Sequence, residues 1–471
     1  MHQADVFAST DGPLVTVVVL NWNGERLLPD CLDALAKQDL DQAAWQAWVV
    51  DNASSDGSLA LLARDYPWVH VVRNPANLGF AGGNNTALHT ATTPFVVLLN
   101  NDAHPEPDWL RRLLAPMLTA DGARIGATTS KILLQPRFLP LKLATPAFRP
   151  PGDGRDLGML VTNVTVHTDG GAEQDQDVTE EVLWEHAAYG PEDHSGRRLR
   201  WTYPTGSLLV PIGDHPSAPP GLHVTITARA ERPKPLTVSW PGGQATLQLT
   251  TTDQPHPIAI SGQPPLADVI NNVGGIFHAP GYGADRGYQQ LDHGQYDTPE
   301  EVFLLCGAAV CLRTEALRQV GCFDDRFFMY YEDTDLSWRL RAAGWAIRYV
   351  PDAVVRHLHS ASAVEWSPFF SFHVDRNRLL LLAKNAPARM AAREALHYQA
   401  TTVSMAARTL LRAWREHRRP AVRPTLLRLR VAASWLRLLP AMLQARQHTR
   451  RLRVHTPREL LDRWMLPSKT S

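Results

Sequence analysis

Three acidic residues directly follow a run of bulky apolar and aromatic residues in the C-terminal half of the chain. The segment FFMYYEDTD places Glu332, Asp333 and Asp335 behind two phenylalanines, a methionine and two tyrosines. Carboxylates beside aromatic rings are poorly solvated, and adjacent carboxylates raise each other's pKa. A raised carboxyl pKa suits a general base, so Glu332 and Asp333 are predicted to be catalytic. Asp335 opens a helical pattern and is predicted to cap that helix or to complement its dipole.

A second group of residues could hold a metal ion. The strand-like segment PFVVLLNND ends on Asn100, Asn101 and Asp102. Asp102 and the Asn100 carbonyl offer oxygen ligands that suit Mg²⁺ or Mn²⁺, although a helix-capping turn would explain the same residues. The segment AIRYVPDAVVRHLH ends on His357 and His359, which strand alternation places on one face. One of these two histidines is predicted to complete the metal site with Asp102, and the choice between them stays open.

Polar residues also follow the predicted strands nearer the N-terminus. Asn21 ends PLVTVVVLN, and Asp51 ends AWQAWVVD. Apolar strands that alternate with helices predict a parallel sheet covered on both faces, which binds ligands at the carboxyl ends of its strands. Asp51 is therefore predicted to accept hydrogen bonds from a ribose or a base. The segment NPANLGFAGGNN carries Gly79, Gly82 and Gly83 before a helix, which allows a ligand to approach the backbone but lacks the dinucleotide-binding spacing.

Length, composition and charge limit the class of protein. The chain has 471 residues, 44% of them hydrophobic and 20% charged, which is typical of a soluble protein with two or three domains. Residues 405–455 contain thirteen arginines and one acid, Glu416, so this region is predicted to meet an anionic partner. The four cysteines form no CxxC pair, and neither a signal peptide nor a membrane-spanning run is visible. A cytoplasmic location and no nucleic-acid partner are expected.

The pattern along the chain divides it into four regions. Residues 1–135 and 266–365 read as two halves of one α/β domain. Residues 136–265 are rich in Pro, Gly and Thr and alternate with period two, as in LHVTITARA, which predicts an inserted β-sandwich-like module. Residues 366–471 are helical and rich in Arg, and the arginines spread around the helical wheel, which predicts helices packed partly on the protein. The predicted fold class is α/β with an all-β insertion and a C-terminal helical region.

Taken in order, the motifs resemble those of the inverting family 2 glycosyltransferases, in particular the bacterial rhamnosyltransferase-like branch. The matching segments are VVVLNWNG, VVDNASSDGS, NLGFAGGNN, LLNNDA, FDDRFFMYYEDTDLSWRLRAAGW and VVRHLHS, which together cover residues 13–135 and 266–365. The resemblance implies a GT-A nucleotide-sugar-binding fold with a mixed, Rossmann-like sheet. Two features depart from the family pattern: Asn100 stands where many relatives have Asp, and the β module is additional.

The resemblance also implies roles for individual residues. Asp333 would be the base that deprotonates the acceptor hydroxyl, Asn100 to Asp102 would form the DxD-like metal motif, and His357 would be the metal-associated histidine. The predicted nucleotide-sugar-binding residues are Asn21, Asp51, Asn77, Gly82, Asn84, Asn100 and Asn101. The predicted acceptor-binding residues are Gly307, Tyr331 and Trp338, because aromatic rings can form an apolar floor for a sugar.

The function predicted from these residues is the transfer of a sugar, with rhamnose as the candidate. The donor would be a dTDP- or UDP-sugar, and the acceptor a hydroxyl of a cell-surface glycan or a lipid-linked glycan in cell-wall polysaccharide biosynthesis. Peripheral contact with the inner face of the plasma membrane would bring the arginine-rich region to anionic lipid. The alternative is a non-catalytic carbohydrate-binding protein on a degenerate glycosyltransferase scaffold. Asn100 and the β module are the features that favour it. A nucleotidyltransferase would need an early basic phosphate-binding loop, which the sequence lacks.

Overall fold

A computed structural model of the chain describes residues 12–169, 176–185, 187–194, 197–358 and 367–467. The expectation of no signal peptide concerns mainly residues 1–11, which lie outside the described residues, as does His359. The chain divides into two units. The first comprises Met1–Ile132, Asn272–Arg286 and Gln295–Ser471, and the second comprises Leu133–Asn271 and Gly287–Gly294.

Strands and helices alternate in the N-terminal part of the first unit, as the sequence pattern predicts. The strands are continuous apolar runs because both faces of the sheet are covered by helices. In chain order the elements are β1 (Val15–Asn21), α1 (Leu28–Ala36), β2 (Trp45–Asp51), α2 (Ser58–Asp65), β3 (His70–Arg73), α3 (Gly79–Leu88), β4 (Phe95–Asn100), β5 (Ala103–Pro105), α4 (Trp109–Leu114) and β6 (Ile125–Leu134). Short 3₁₀ turns span Gln42–Ala44, Ala115–Leu118 and Ala120–Arg124.

The second unit is built from antiparallel strands. They are β7 (Arg137–Ala144), β8 (Leu160–Thr168), β9 (Gln176–Asp177), β10 (Leu183–Glu185), β11 (Glu192–His194), β12 (Arg197–Trp201), β13 (Thr205–Gly213), β14 (Leu222–Arg229), β15 (Lys234–Trp240), β16 (Gly243–Leu249), β17 (Gln254–Ala259) and β18 (Ile270–Asn272), the last of which ends at the unit boundary. One sheet has the order β10-β13-β7-β15-β16 and the other β11-β12-β8-β14-β17. Leu141 and Val238 of the first sheet share one buried core with Val224 of the second, which is the arrangement of a β-sandwich.

The chain then returns to the first unit and ends in helices. The elements are β19 (Gly275–His278), β20 (Tyr282–Asp285), β21 (Glu300–Glu301), β22 (Ala309–Arg313), α5 (Thr314–Val320), α6 (Glu332–Ala342), β23 (Ala346–His357), α7 (Pro368–Asn385), α8 (Ala388–Arg415), α9 (Arg423–Leu452), α10 (Pro457–Trp464) and β24 (Met465–Leu466). A 3₁₀ turn at Asp325–Phe327 precedes α6.

The central sheet of the first unit is mixed and has the strand order β21-β23-β6-β22-β4-β1-β2-β3. Strand β1 runs parallel to β2 and β4, whereas β22 runs antiparallel to β4. The register pairs Asn21 with Asp51 and Leu20 with Asn100, so the polar ends of three strands meet at one edge. The predicted α/β class with a mixed sheet, an all-β insertion and a C-terminal helical region is confirmed.

A buried ion-pair network joins α6 to α7. Asp335 is fully buried and accepts hydrogen bonds from Lys384 Nζ (2.9 Å), Arg339 Nε (2.8 Å) and Asn385 Nδ2 (2.8 Å). Lys384 Nζ also donates to Asp324 at 2.7 Å. Burial alone would raise the pKa of Asp335, but Lys384 and Arg339 outweigh it and hold that pKa below its usual value. Asp335 lies in the first turn of α6, as the predicted role beside the helix dipole requires. Its side-chain partners form an ion-pair network that fastens two helices, in place of the alternative role as a cap.

Helices α8 and α9 expose large hydrophobic side chains at a regular spacing. Leu396, Val403, Leu410 and Trp414 repeat every seven or four residues along α8, and Leu426, Leu429, Leu436 and Leu443 repeat every three or seven along α9. Such spacing keeps each set on one face of its helix. The opposite side of α9 buries Val431, Ala432 and Met442, in agreement with helices packed partly on the protein. None of the described helices is long and apolar enough to cross a bilayer.

We expect Lys384→Met to lower the free energy of unfolding by about 3 to 5 kcal/mol, because it removes the buried cation that Asp324 and Asp335 share and leaves each carboxylate with one arginine, Arg326 or Arg339. Arg112→Met is the matched control: its partner Asp108 is partly exposed, so the loss should stay below about 1 kcal/mol. Urea unfolding at neutral pH measures both values. The pKa of both Asp324 and Asp335 is lowered in the folded state, so wild-type stabilisation by these groups should disappear as the pH falls below about 4. Equal losses in the two variants would contradict the network.

Candidate active site

The turn that precedes α6 has an unusual backbone. Phe328, Tyr330 and Tyr331 adopt φ angles of +65°, +69° and +70°. This left-handed region is disfavoured for bulky L-residues, and each such residue costs about 1 to 3 kcal/mol. Tyr331 occupies the N-cap position of α6, so the strained turn ends where the acid pair begins. Such strain persists only where surrounding contacts hold it in place.

Asn377 of α7 provides those contacts. Its buried side-chain amide, Nδ2, lies within hydrogen-bonding distance of the carbonyl oxygens of Phe327 (2.8 Å), Met329 (2.8 Å) and Tyr330 (2.7 Å). Arg376 Nη2 also donates to the Phe327 carbonyl at 2.9 Å. Sequence reasoning missed both residues. Their one signal was a set of polar residues inside the otherwise apolar helix segment DRNRLLLL, which alone does not show what they hold.

The strained turn presents Asp333 on the first turn of α6. Asp333 is half-buried, and its Oδ1 accepts hydrogen bonds from the Thr334 amide (2.6 Å) and hydroxyl (3.3 Å). Burial raises the pKa of Asp333 to about 6, and the nearby Asp285 carboxylate adds to the rise, although the backbone amides of Thr334 and Gly307 oppose it. A carboxyl group with this pKa is ionised at neutral pH and retains enough basicity to accept a proton.

Glu332 occupies a different environment from its neighbour. It is 6% exposed, and among the described residues its Oε2 has no hydrogen-bond partner. Burial, followed by repulsion from Asp333, raises the pKa of Glu332 well above its usual value. Glu332 therefore holds its proton more tightly than a solvated glutamic acid, and the two adjacent carboxyl groups differ in environment. Another acid, Asp285, lies near Asp333 and accepts a hydrogen bond from Asn272. The sequence did not predict that Asp285 belongs to this site.

The predicted metal ligands lie together at the edge of the sheet. Strand β5 pairs with β23 so that Ala103 faces His357, and Leu358 donates its backbone N–H to the Asp102 carbonyl at 3.0 Å. This register places His357 Nε2 3.1 Å from Asp102 Oδ1. The Asn100 side-chain amide lies 3.3 Å from the same imidazole nitrogen. The structure thus brings Asp102, His357 and Asn100 into one cluster.

This cluster fits one kind of divalent cation site. Within the described part of the chain, no group of three or more His, Cys, Asp or Glu side chains could hold a metal ion. Mg²⁺ commonly takes one or two protein carboxylates and completes its shell with substrate phosphates and water. Asp102 and His357 therefore suit a cation that a diphosphate completes, and they do not suit one held by protein ligands alone. Asn100, in place of an acid, removes one negative charge from this cluster.

Three of the predicted nucleotide-sugar residues form a second polar cluster at the same edge. Asn21 Oδ1 accepts a hydrogen bond from Asn101 Nδ2 at 2.9 Å. Asn21 Nδ2 donates to Ser54 Oγ (3.2 Å) and to Asp51 Oδ1 (3.5 Å). Asp51 Oδ2 in turn accepts from the Ser54 amide at 3.1 Å. The cluster follows directly from the parallel register, which pairs Asn21 with Asp51.

The glycine-rich start of α3 contacts the strained turn. Gly79 has φ +71°, and a Cβ at this position would lie 2.4 Å from the Phe328 carbonyl oxygen. The same oxygen accepts a hydrogen bond from the Ala81 amide at 3.0 Å. Asn77 Oδ1 accepts from the Gly79 amide at 2.9 Å and from Asn52 Nδ2 at 3.0 Å. Only glycine fits at position 79, because the backbone of the strained turn occupies the space that a side chain would need.

Two other predicted residues on α3 face the helix itself. Asn84 is 1% exposed, and its Nδ2 donates to the Phe80 carbonyl at 3.0 Å. A Cβ on Gly82 would lie 2.8 Å from the Leu78 side chain. Asn52, which sequence reasoning passed over, links this region to β2 through hydrogen bonds with Asn74 and Asn77.

Residues 307–308 connect the acid pair Glu332–Asp333 to the cluster of Asp102, His357 and Asn100. The Asn100 amide donates to the Ala308 carbonyl at 2.9 Å, and the Gly307 amide bonds to the Asp333 carboxylate. A Cβ on Gly307 would lie 3.0 Å from the Phe80 ring and 3.8 Å from Asp333 Cβ. Gly307 therefore contacts both the predicted base Asp333 and α3, and the next residue, Ala308, bonds to the end of β4.

The other two predicted acceptor residues are buried. Trp338 is 1% exposed and packs edge-on against Phe277 and Phe303, with ring centroids 5.2 and 5.5 Å away. Trp338 is therefore a core residue, and an acceptor contact through its ring would require this cluster to open. Tyr331 is 8% exposed, and burial raises the pKa of its hydroxyl. Helical spacing in the sequence did not separate core rings from rings that line a site.

Comparison with known families and proteins supports one assignment. The family model described as glycosyl transferase family 2 matches residues 16–151, and the model described as glycosyl transferase family group 2 matches residues 269–370. The N-acetylglucosaminyl-diphospho-decaprenol L-rhamnosyltransferase of Mycobacterium tuberculosis is 48% identical over 64 residues, which are 14% of this chain and 20% of that protein. The pre-mycofactocin glycosyltransferase of the same species is 39% identical over 83 residues, 17% of each chain.

The matched segment spans no more than about a fifth of the length of these curated relatives. Among solved structures, GalNAc-T7 with UDP, GalNAc and Mn²⁺ aligns with 81% of this chain and 49% of its own length, at 12% identity and a TM-score of 0.41. The two matched segments contain the sheet edge and the strained turn that carry the candidate site. These matches support a family 2 glycosyltransferase over residues 16–151 and 269–370, which are part of this chain.

Proposed function

We propose that this chain is an inverting glycosyltransferase that moves a sugar from a nucleotide-diphosphate sugar to an acceptor hydroxyl. The observation that carries the proposal is the position of Asp333. This carboxylate, with a pKa of about 6, is joined through Gly307 and Ala308 to the strand that bears Asn100 and the Asp102–His357 pair. A proton acceptor and a diphosphate-binding cluster that share one short segment suit displacement at an anomeric carbon.

Asp333 acts as the general base. Its carboxylate accepts the proton of the acceptor hydroxyl while that oxygen bonds to the anomeric carbon and the bond from the anomeric carbon to the diphosphate oxygen breaks. A single displacement of this kind inverts the anomeric configuration. The raised pKa of Glu332 favours its neutral form, which adds no second negative charge beside the incoming oxygen. General-base catalysis contributes about 10²- to 10⁴-fold to such a step.

Asp102 and His357 hold Mg²⁺ or Mn²⁺ in this proposal. The cation supplies charge compensation for the departing diphosphate. Asn100 orients the His357 imidazole through the contact at 3.3 Å. At the same edge, Asn21, Asp51 and Asn101 bind the nucleotide of the donor, for which dTDP and UDP are the candidates.

For the donor sugar and the acceptor, the proposal rests on the names of the related proteins. The name of the M. tuberculosis relative supports rhamnose and a lipid-linked acceptor for this chain as well. This would place the reaction in the synthesis of a cell-wall or cell-surface polysaccharide. The β-sandwich of the second unit would aid binding of the acceptor or of a partner and would carry no catalytic residue.

Peripheral contact with an anionic membrane surface is part of this proposal. The exposed leucines of α8 and α9 offer an apolar face, and thirteen arginines against one acid in residues 405–455 offer positive charge beside it. Each arginine near the surface contributes about 1 kcal/mol of attraction to anionic lipid. A coiled coil between two copies would bring two arginine-rich surfaces together without the acids that pair with them, so lipid is the better partner.

We expect Asp333→Asn to lower kcat at least about 100-fold while donor binding stays unchanged. Activity of the wild-type protein should rise with pH through about 6, where Asp333 loses its proton, and fall about tenfold per unit below that. The donor is first chosen from UDP-, dTDP- and GDP-sugars by thermal shift. Asp352→Asn, at an exposed carboxylate, is the matched control. Near-normal turnover of Asp333→Asn would refute the assignment of the base.

The metal is tested by removal and return. We expect EDTA to abolish transfer and Mg²⁺ or Mn²⁺ to restore it in the wild-type protein. Restoration should fail in Asp102→Ala, because the carboxylate ligand is gone, and succeed in Asp121→Ala, which removes an exposed carboxylate elsewhere. Full activity of the metal-stripped protein would show that Asp102 and His357 serve another purpose.

The β module is tested by expressing residues 133–271 alone and by deleting them from the full chain. We expect the isolated module to unfold cooperatively, because its two sheets share a core of their own. We expect the deleted protein to keep hydrolysis of the donor and to lose efficiency toward the acceptor. Loss of donor hydrolysis from a folded deletion variant would contradict a purely accessory role.

Membrane contact is tested by sedimentation with liposomes that contain phosphatidylglycerol. We expect the wild-type protein to bind at low salt and to dissociate at high salt, since the Debye length shrinks. Leu410→Ser with Trp414→Ser should weaken binding about tenfold, because two exposed apolar side chains are lost. Trp68→Ser, at an exposed tryptophan of the α/β region, is the control. Equal binding by all three proteins would exclude α8 as the contact.

A further inference from the structure

A separate cleft lies at the C-terminal end of α9. It has a volume of about 190 Å³ and is lined by α6, by the end of α7 and by the segment that joins α9 to α10. Arg446 and Arg450 of α9, Arg453 and His455 of the joining segment, and Asn385 of α7 line it. None of these residues takes part in the proposed sugar transfer.

The cleft is positively charged. Arg446 Nη1 donates to the carbonyl oxygens of Ala383 (3.0 Å) and Ala386 (2.7 Å), which fixes its guanidinium at the end of α7. Burial, and then repulsion from Arg453 and Arg450, lowers the pKa of Arg446. Three guanidinium groups thus lie close enough to repel one another at the cleft, and an anion would relieve that repulsion.

The acids nearest the cleft are engaged elsewhere. Asp335, behind Asn385, is held by Lys384 and Arg339. Glu459, on the first turn of α10, accepts a hydrogen bond from the Thr456 amide at 2.7 Å as part of a capping box. Lys384, which also lines the cleft, pairs with Asp324 and Asp335. The charge left facing the cleft is that of the arginines.

A buried acceptor is the second, independent feature. Asn385 is 3% exposed, and its Nδ2 donates to Asp335 Oδ1 at 2.8 Å, which fixes the orientation of the amide. Its Oδ1 has no hydrogen-bond partner among the described residues. A buried carbonyl oxygen without a donor is unfavourable, so a ligand that brings a hydroxyl group to the cleft would satisfy it.

We propose that this cleft binds a phosphate ester that carries a hydroxyl group. The phosphate would contact Arg450 and Arg453, and the hydroxyl would donate to Asn385 Oδ1. Guanidinium groups bind phosphate oxygens through paired, charge-assisted hydrogen bonds, which suits this arrangement. Soluble sugar or glycerol phosphates share this chemistry with the glycerophosphate headgroups of lipids, and the two sources are separated by experiment.

The test is calorimetric titration of the full chain with glycerol 3-phosphate, with glycerol and with inorganic phosphate. We expect glycerol 3-phosphate to bind, glycerol not to bind, and inorganic phosphate to bind more weakly because it brings no hydroxyl-bearing carbon chain to Asn385. Arg450→Gln with Arg453→Gln should weaken binding at least tenfold. Arg418→Gln with Arg419→Gln, an equal charge change in the exposed α8–α9 connection, should change it less than twofold. Thermal melts verify that both variants are folded.

Phosphatidylglycerol vesicles form the second arm. Binding of vesicles that depends on Arg450 and Arg453, without binding of soluble glycerol 3-phosphate, would assign the lipid headgroup as the source. Binding of the soluble ester would assign the free phosphate. Absence of both, or equal weakening by the two double variants, would overturn the proposal, because a general surface charge rather than a built cleft would then be responsible.

Discussion

The side chain of Asn377 is the contact on which the candidate site depends. Three carbonyl oxygens of the strained turn, those of Phe327, Met329 and Tyr330, lie within 2.8 Å of its Nδ2 atom. Without these contacts the strained turn would relax toward ordinary φ angles, since nothing in the aromatic side chains favours the left-handed region. Asp333 follows that turn directly, so its position is set from a helix that is distant in sequence. The strain is thus part of how the site is preorganised.

Two neighbouring carboxyl groups then acquire different properties from their surroundings. Asp333 receives hydrogen bonds from backbone amides and has a pKa of about 6. Glu332 is buried, its Oε2 has no hydrogen-bond partner among the described residues, and its pKa is raised well above its usual value. Asp335, two residues further on, is ionised because Lys384 and Arg339 surround it. Three acids in four positions therefore serve three purposes, which their types alone do not reveal. Burial and partners determine which of them can accept a proton.

The sequence predicted those features that depend on local pattern. Apolar runs ending in Asn21, Asp51 and Asn100 located the strand ends correctly, because continuous hydrophobic strands and their polar termini are visible without knowledge of contacts. Parallel pairing then brought these residues to one edge of the sheet. The sequence also placed His357 and His359 together at the end of one strand; that strand ends at His357, and His359 lies outside the described residues.

The features that the sequence did not predict depend on partners far apart in the chain. Lys384 lies 49 residues from Asp335, and Asn377 lies about as far from the turn that it holds. No periodic pattern signals such a pair. Trp338 shows the converse problem: helical spacing identified an inward-facing ring but did not distinguish the hydrophobic core from a sugar-binding floor.

The most direct measurement of the central claim is the pH dependence of kcat in Asn377→Leu. This substitution keeps the number and branching of the side-chain heavy atoms and removes the group that donates hydrogen bonds to the turn. We predict a fall in kcat of at least about tenfold, since a small misplacement of a catalytic group is costly, together with a shift of the kinetic pKa away from about 6. The protein should still melt cooperatively. An unchanged kcat and an unchanged kinetic pKa would contradict the account, because Asp333 would then be positioned without Asn377.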